Sequence, residues 1–304
     1  MFKLLKNSCS SEEKSGLFGW TINSLLNNTV VVASPYIENS IWNYNQEFQI
    51  QGYIGGKCGN GFGQTISTYG NTLLATSKNC NFISFYESSW VQFSLDFEQI
   101  EQCGAYIVVR SKNVLSLYKL NQQTPQLVQS ITGEFNSFAC DSERVYTFGN
   151  SITMYKINDQ SIQYQKTKPG LQFNDGKVNN EFLIAYTSNK VVIIDKLSLD
   201  IKDNIDIAID NLITTPNSQF IAISNYEQSL ITILSRNLPQ QVFNEESKFL
   251  KPKADIPYYT LEKLYGPPNS AFGKGMAFTE TRFIASYPLQ NCFNVYSISS
   301  SCTF

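Results

Sequence analysis

Residues 270–298 read SAFGKGMAFTETRFIASYPLQNCFNVYSI, and residues 60–88, NGFGQTISTYGNTLLATSKNCNFISFYES, follow the same plan. Each has Phe-Gly, an apolar run ending in Ala-Ser or Ala-Thr-Ser, an Asn-Cys pair, then alternating aromatics. A plan written twice at such a distance marks a repeat architecture.

The Phe-Gly pairs set the ruler. They stand at Phe18-Gly19, Phe62-Gly63 and Phe272-Gly273, intervals of 44 and 210 residues, and the second is five times 42. A period near 42 is the length of a four-stranded propeller blade. Unmarked copies are found by their third strand, an alternating segment: Trp42–Asn45, Ile83–Tyr86, Leu115–Tyr118, Ile152–Tyr155, Val192–Asp195, Ile231–Leu234 and Phe293–Tyr296. A short apolar strand precedes each, so there are seven copies. The fold expected is all-β: a seven-bladed β-propeller of four-stranded antiparallel blades in a single domain spanning 1–304. The expected blades are 17–54, 61–98, 103–132, 136–168, 171–208, 210–246 and 270–304 plus 1–9, with an insertion at 247–269. A ring of blades must close to remove its edges. The seventh lacks a fourth strand, and the strand-like MFKLLKNS at the start belongs to no other blade. It is expected to complete blade seven as a clasp between the chain ends.

In blades one, two and seven the phrase resembles the FG-GAP repeat of integrin-α-type propellers. Phe-Gly opens the innermost strand, and a small triplet ends the next: Ala33-Ser34-Pro35, Ala75-Thr76-Ser77, Ala285-Ser286-Tyr287-Pro288. The other four copies look like generic WD-repeat-like blades without the Trp-Asp and Gly-His marks. In physical terms the Phe fills the gap between blades, and the Gly lets backbones approach closely. Calcium-binding members of the resembled family carry Asp-x-Asp-x-Asp-Gly. This chain has no such run, so no calcium is expected; FNDGK around Asp175 reads as a turn.

Composition removes several function classes. Hydrophobic residues make up 42% of 304, enough for a packed core, and the net charge is −2 with scattered lysines, not the basic stripe of a nucleic-acid binder. No apolar run is long enough to span a membrane, and the N-terminus lacks the apolar core of a secretory signal. Histidine is absent, which removes the usual general base and most transition-metal sites. The Gly-rich GGKCGNGFG at 55–63 leads into a strand, not a helix, so it does not read as a phosphate loop. No cofactor is expected.

Seven cysteines without a Cys-x-x-Cys pair, and a single glycosylation sequon at Asn27, favour reduced thiols. If oxidised, Cys58 is expected to pair with Cys80, and Cys9 with Cys302 across the clasp. Cys58, Cys80, Cys103 and Cys292 are expected on loops of one face, without metal-ligand spacing.

The 247–269 insertion concentrates Lys248, Lys251, Lys253, Tyr258, Tyr259 and Tyr265. Pro257 and Gly266 bracket YYTLEKLY as a short helix, and the segment is expected either to touch a partner or to cap the channel. The function read from these residues is a non-catalytic interaction or scaffold propeller, a subunit of an intracellular assembly with protein partners. Two alternatives stand beside it: an extracellular or particle-surface adhesion protein of FG-GAP type, and a carboxylate- or cofactor-dependent enzyme.

Overall fold

A computed structural model describes residues 2–9, 17–25, 28–36, 39–56, 61–77, 82–86, 90–120, 125–170, 172–236 and 258–298. Seven four-stranded antiparallel sheets form the ring. From inner to outer strand, blade one is Ile22–Ser24, Val30–Ser34, Ser40–Tyr44 and Ile50–Gly55. Blade two is Phe62–Tyr69, Thr72–Ser77, Phe82–Tyr86 and Trp90–Ser94. Blades three and four are Gln99–Cys103, Tyr106–Ser111, Val114–Leu120, Pro125–Thr132, then Ser137–Cys140, Arg144–Phe148, Ser151–Asn158, Ser161–Pro169. Blades five and six are Asp175–Val178, Phe182–Tyr186, Lys190–Asp195, Ile201–Asp206, then Asn211–Thr214, Phe220–Asn225, Leu230–Ser235, Tyr259–Tyr265. Blade seven is Met276–Phe278, Arg282–Tyr287, Cys292–Ile298, and its outer strand is Phe2–Cys9.

The clasp therefore forms as expected. Phe2 pairs with Ile298, Asn7 with Asn294 and Cys9 with Cys292. Phe2 is buried edge-on against Phe220 of blade six and Phe283 of blade seven, each at 5.8 Å. Its N–H donates to Glu262 Oε2 on blade six, and Lys6 Nζ donates to the Phe48 carbonyl on blade one. The chain's first strand thus ties blade seven to both neighbours.

The long spacing between the sixth and seventh ladders does not separate two blades. Blade six takes Tyr259–Tyr265 as its outer strand, so YYTLEKLY is not a helix and the sixth blade does not close at 246. The physical reason is a β-bulge. Ile231 pairs with Leu264 and Ile233 with Glu262, but Leu234 pairs with Thr260, which leaves Leu261 extra. That residue gives Leu261 and Leu264 a three-residue spacing, and both pack on the core from a strand. The same third-to-outer-strand irregularity recurs in blades one, three, four, five and seven. It breaks the period-two pattern by which an outer strand could be recognised.

The three Phe-Gly turns are one structure built three times. Leu17, Gly61 and Ala271 precede the Phe with φ of 53°, 110° and 55°, and each following glycine has φ of 85°. Trp20, Gln64 and Lys274 then donate their N–H back to the carbonyls of Leu17, Gly61 and Ala271. Each glycine lies on a small side chain of the preceding blade. A Cβ on Gly19, Gly63 or Gly273 would meet the Cβ of Ser286, Ala33 or Ser224 at 2.8, 2.7 or 2.5 Å. The small triplets of blades seven and one are thus the seats for the glycines of blades one and two.

The remaining blades fill the same place without the glycine. Phe97, Phe135, Phe173 and Ile209 are buried against blades two, three, four and five respectively. The next residue donates its N–H to the second strand: Glu98 to Arg110, Asn136 to Phe148, Asn174 to Tyr186, Asp210 to Ser224. Gly19 and Gly273 make the equivalent bond to Ala33 and Ser286. The inner strand starts two residues after the apolar wedge in these blades, and four after it in blades one and seven. Two added residues make the Phe-Gly turn.

Candidate interaction surface

The connections between blades and between second and third strands lie on one face, here the upper face. The connections between first and second, and third and outer strands lie on the lower one. The Phe-Gly turns all open onto the upper face, and the residue after each glycine comes to stand there: Lys274, Trp20 and Gln64, on blades seven, one and two. Tyr226 and Tyr36 join them from the second-to-third strand loops of blades six and one. Lys274 Nζ sits 4.6 Å from the Trp20 ring centroid and 5.3 Å from that of Tyr226. Tyr36 meets Trp20 edge-on at 5.4 Å, and Gln64 Nε2 donates to the Tyr36 hydroxyl. The result is a continuous arc over four blades, half-buried throughout.

This arc was not legible as a site in the sequence. Its members lie far apart in the chain, and only the repeated Phe-Gly turn signals that three of them are equivalent.

Electrostatics differ sharply between the arc and the channel. Glu101 and Lys177, on the inner strands of blades three and five, form a 2.8 Å ion pair. Because those blades are not neighbours, the pair runs across the channel. Burial alone would lower the Lys177 pKa, but the charges of Glu101 and Asp175 outweigh it and hold the ammonium above its usual range. Lys274 has no such anion: among the described residues no carboxylate lies within ion-pair distance. Burial lowers its pKa, with Asp210 opposing. The ring faces are the cation's contacts, and Asp210 adds to its stabilisation from beyond ion-pair distance.

The lower face is stitched by polar contacts between blades four, five and six. Lys196 pairs with Asp141 at 3.0 Å and donates to the Asn179 carbonyl, while Ser218 Oγ donates to Asn179 Oδ1. The Tyr146 hydroxyl donates to the Lys196 carbonyl and that of Tyr258 to the Ser218 carbonyl. Burial pushes both phenols far above the ordinary tyrosine range. A raised folded pKa leaves full stability below the unfolded value and removes it above. Stability is therefore expected to fall from about pH 10, with a slope approaching about 2.7 kcal/mol per pH unit for the two groups. Urea midpoints taken across the alkaline range check this, and a midpoint that does not move refutes it.

The sequence-predicted contact residues divide. Lys248, Lys251 and Lys253 lie outside the described residues. Tyr258 is core, edge-on to Phe182 at 6.1 Å. Tyr259 is half-buried where the outer strand of blade six begins, near the lower face; Tyr265 is 72% exposed at its upper end. The three tyrosines thus do not form one patch, because an extended strand sends them apart where a helix turn would have gathered them.

The cysteines also depart from expectation. Cys9 is bonded to Cys292, its register partner in the clasp, with Cα atoms 4.0 Å apart, and not to Cys302, which lies outside the described residues. Cys103 is bonded to Cys140, joining the inner strands of blades three and four. Cys103 ends its strand at the lower face, so it does not share a face with Cys292. Cys58 and Cys80 lie outside the described residues. Among the described residues no group of three or more Cys, Asp or Glu side chains is placed to hold a metal.

No family model and no curated protein matches the chain, so the FG-GAP resemblance of three blades gains no support from sequence comparison. Solved structures do match. The β-propeller domain of Cps50 (Swd1) from Myceliophteria thermophila superposes with a TM-score of 0.70 at 9% identity, over 98% of this chain and 100% of that one. A chain of a mitotic checkpoint complex gives 0.69 at 9% identity, over 97% and 94%. BamB from Moraxella catarrhalis gives 0.61 at 7% identity, over 98% and 100%. At such identities the likeness carries the fold and nothing finer. The chain is a seven-bladed β-propeller with a terminal-strand clasp. Its described residues include no helix long and apolar enough to cross a membrane.

Proposed function

We propose that this propeller is a non-catalytic interaction module, a subunit of a larger protein assembly. The observation that carries the reading is the exposure of large tyrosines on the outer strands of separate blades: Tyr53 at 66%, Tyr164 at 63% and Tyr265 at 72%. Tyrosine is enriched where proteins meet, since its ring contributes area at little entropic cost. Lys248, Lys251 and Lys253 precede the outer strand of blade six in the chain and are proposed contacts, together with Tyr259 and Tyr265. Within the channel, Glu101, Asp175 and Lys177 converge as a carboxylate-based catalyst would require. The ion pair between Glu101 and Lys177 commits both to each other, which favours the interaction reading. Crosslinking mass spectrometry in the native source is expected to link the 247–265 segment to a second protein. Migration of the native protein alone as a monomer, with no crosslink from that segment, overturns the proposal.

A second reading, a protein of an oxidising extracellular or particle surface, is favoured by the Cys9–Cys292 and Cys103–Cys140 bonds. Thiol counting on unreduced native protein separates the two. Bonded cysteines favour the surface reading, and free ones an intracellular assembly.

A further inference from the structure

The arc on the upper face holds two unmet bonding needs at its two ends. At one end is the Lys274 ammonium, held between Trp20 and Tyr226 with no carboxylate within ion-pair distance among the described residues; Asp210, which accepts the Tyr226 N–H, acts on it only from farther off. At the other is Gln64 Oε1, a buried acceptor without a hydrogen-bond partner. Between them lie the half-exposed rings of Trp20 and Tyr36. A partly desolvated cation asks for an anion, and an orphaned carbonyl oxygen for an N–H.

We propose that the upper face over blades six, seven, one and two binds an extended acidic segment of a partner protein. An Asp or Glu carboxylate of the segment pairs with Lys274, an apolar or aromatic side chain lies on Trp20 and Tyr36, and the half-buried Gln64 side chain turns its Oε1 outward to accept a backbone N–H of the segment. Charge complementarity selects this occupant. A carboxylate would make a charge-assisted bond where Lys274 now has only the aromatic faces in contact and Asp210 at longer range, and it would do so in a half-buried place where such bonds are stronger. The rings would then stay in contact with the lysine and also provide the apolar floor. A cationic segment would instead have to displace Lys274 from both rings and bring two like charges together. The proposal rests on side chains other than those proposed for the blade-six segment, so either can fail without the other.

The test is binding of purified full-length protein to an array of immobilised peptides of about ten residues, long enough to cross the arc at about 3.3 Å per residue. Each Asp- or Glu-containing peptide is matched with its Asn or Gln counterpart. Binding is expected to concentrate on acidic peptides that carry an aromatic or aliphatic residue nearby, and to weaken with added salt. For the best binder, Lys274→Met is expected to raise Kd roughly tenfold, Lys274→Arg to retain most affinity, and Gln64→Leu to weaken it roughly threefold. Thermal midpoints of the variants establish that they are folded. If Lys274→Met does not fold, the salt dependence and the acidic-to-amide ratio of the unaltered protein decide alone. No acidic preference, an unchanged Kd in folded Lys274→Met, or enrichment of Lys- or Arg-containing peptides each overturns the proposal.

Discussion

Gly273→Val is expected to destabilise the protein by about 3–5 kcal/mol, because it combines two separate penalties at one atom. The backbone there has φ of 85°, a conformation that β-branched residues rarely adopt. The added Cβ would also meet Ser224 Cβ at 2.5 Å and Ile231 Cγ1 at 2.9 Å, both on blade six. Neither neighbour can yield cheaply, since Ser224 and Ile231 are buried register partners on adjacent strands of blade six. Gly170 isolates the first penalty: its φ is 78°, but a Cβ there would meet nothing within 4 Å. Gly170→Val is therefore expected to cost only about 1–2 kcal/mol. Urea unfolding of both variants measures the difference, which reports the contact between blades. Equal losses at the two sites would show that the Phe-Gly glycine is needed for its dihedral angle alone.

Cys9→Ser is expected to remove up to about 5 kcal/mol from the oxidised protein, by opening the covalent part of the clasp. The Cys9–Cys292 bond closes a loop of 283 residues, whereas Cys103–Cys140 closes one of 37. Chain entropy makes the longer closure the more stabilising by roughly 2 kcal/mol, so Cys103→Ser is expected to cost less. Reductant should bring the unaltered protein to the level of a doubly substituted Cys9→Ser, Cys103→Ser variant. Unfolding curves with and without reductant measure this. A Cys9→Ser protein as stable as the oxidised parent would mean that strand pairing and Phe2 burial close the ring unaided.

Much of the architecture was legible because the third strands are simple. Ile152-Thr-Met154-Tyr and most of its counterparts alternate, while Val192-Ile193-Ile194 of blade five is a continuous apolar run; each third strand pairs on both sides and packs between blades. Six of the seven segments identified by alternation fall within third strands, and the seventh, Trp42–Asn45, overruns its strand Ser40–Tyr44 by one residue. The outer strands were less readable for the opposite reason. One side of each is unpaired, and a bulge against the third strand shifts the pattern, so Leu261 and Leu264 took on helical spacing. The wedge position was half-read. Its aromatic recurs at Phe97, Phe135 and Phe173, but without the glycine that made Phe18, Phe62 and Phe272 conspicuous. A search for a buried aromatic or Ile followed two residues later by a strand would have found them.

By itself, the amino-acid order determined the number of blades, the order of their strands and the recruitment of Phe2–Cys9 to the last sheet. Those features rest on local alternation and on the need to leave no open edge, and both are written along the chain. Which side chains meet was decided only by closing the ring. Lys274, Trp20 and Gln64 become neighbours, Glu101 reaches Lys177, and Cys9 finds Cys292 because radial packing sets distances between residues that no sequence interval encodes.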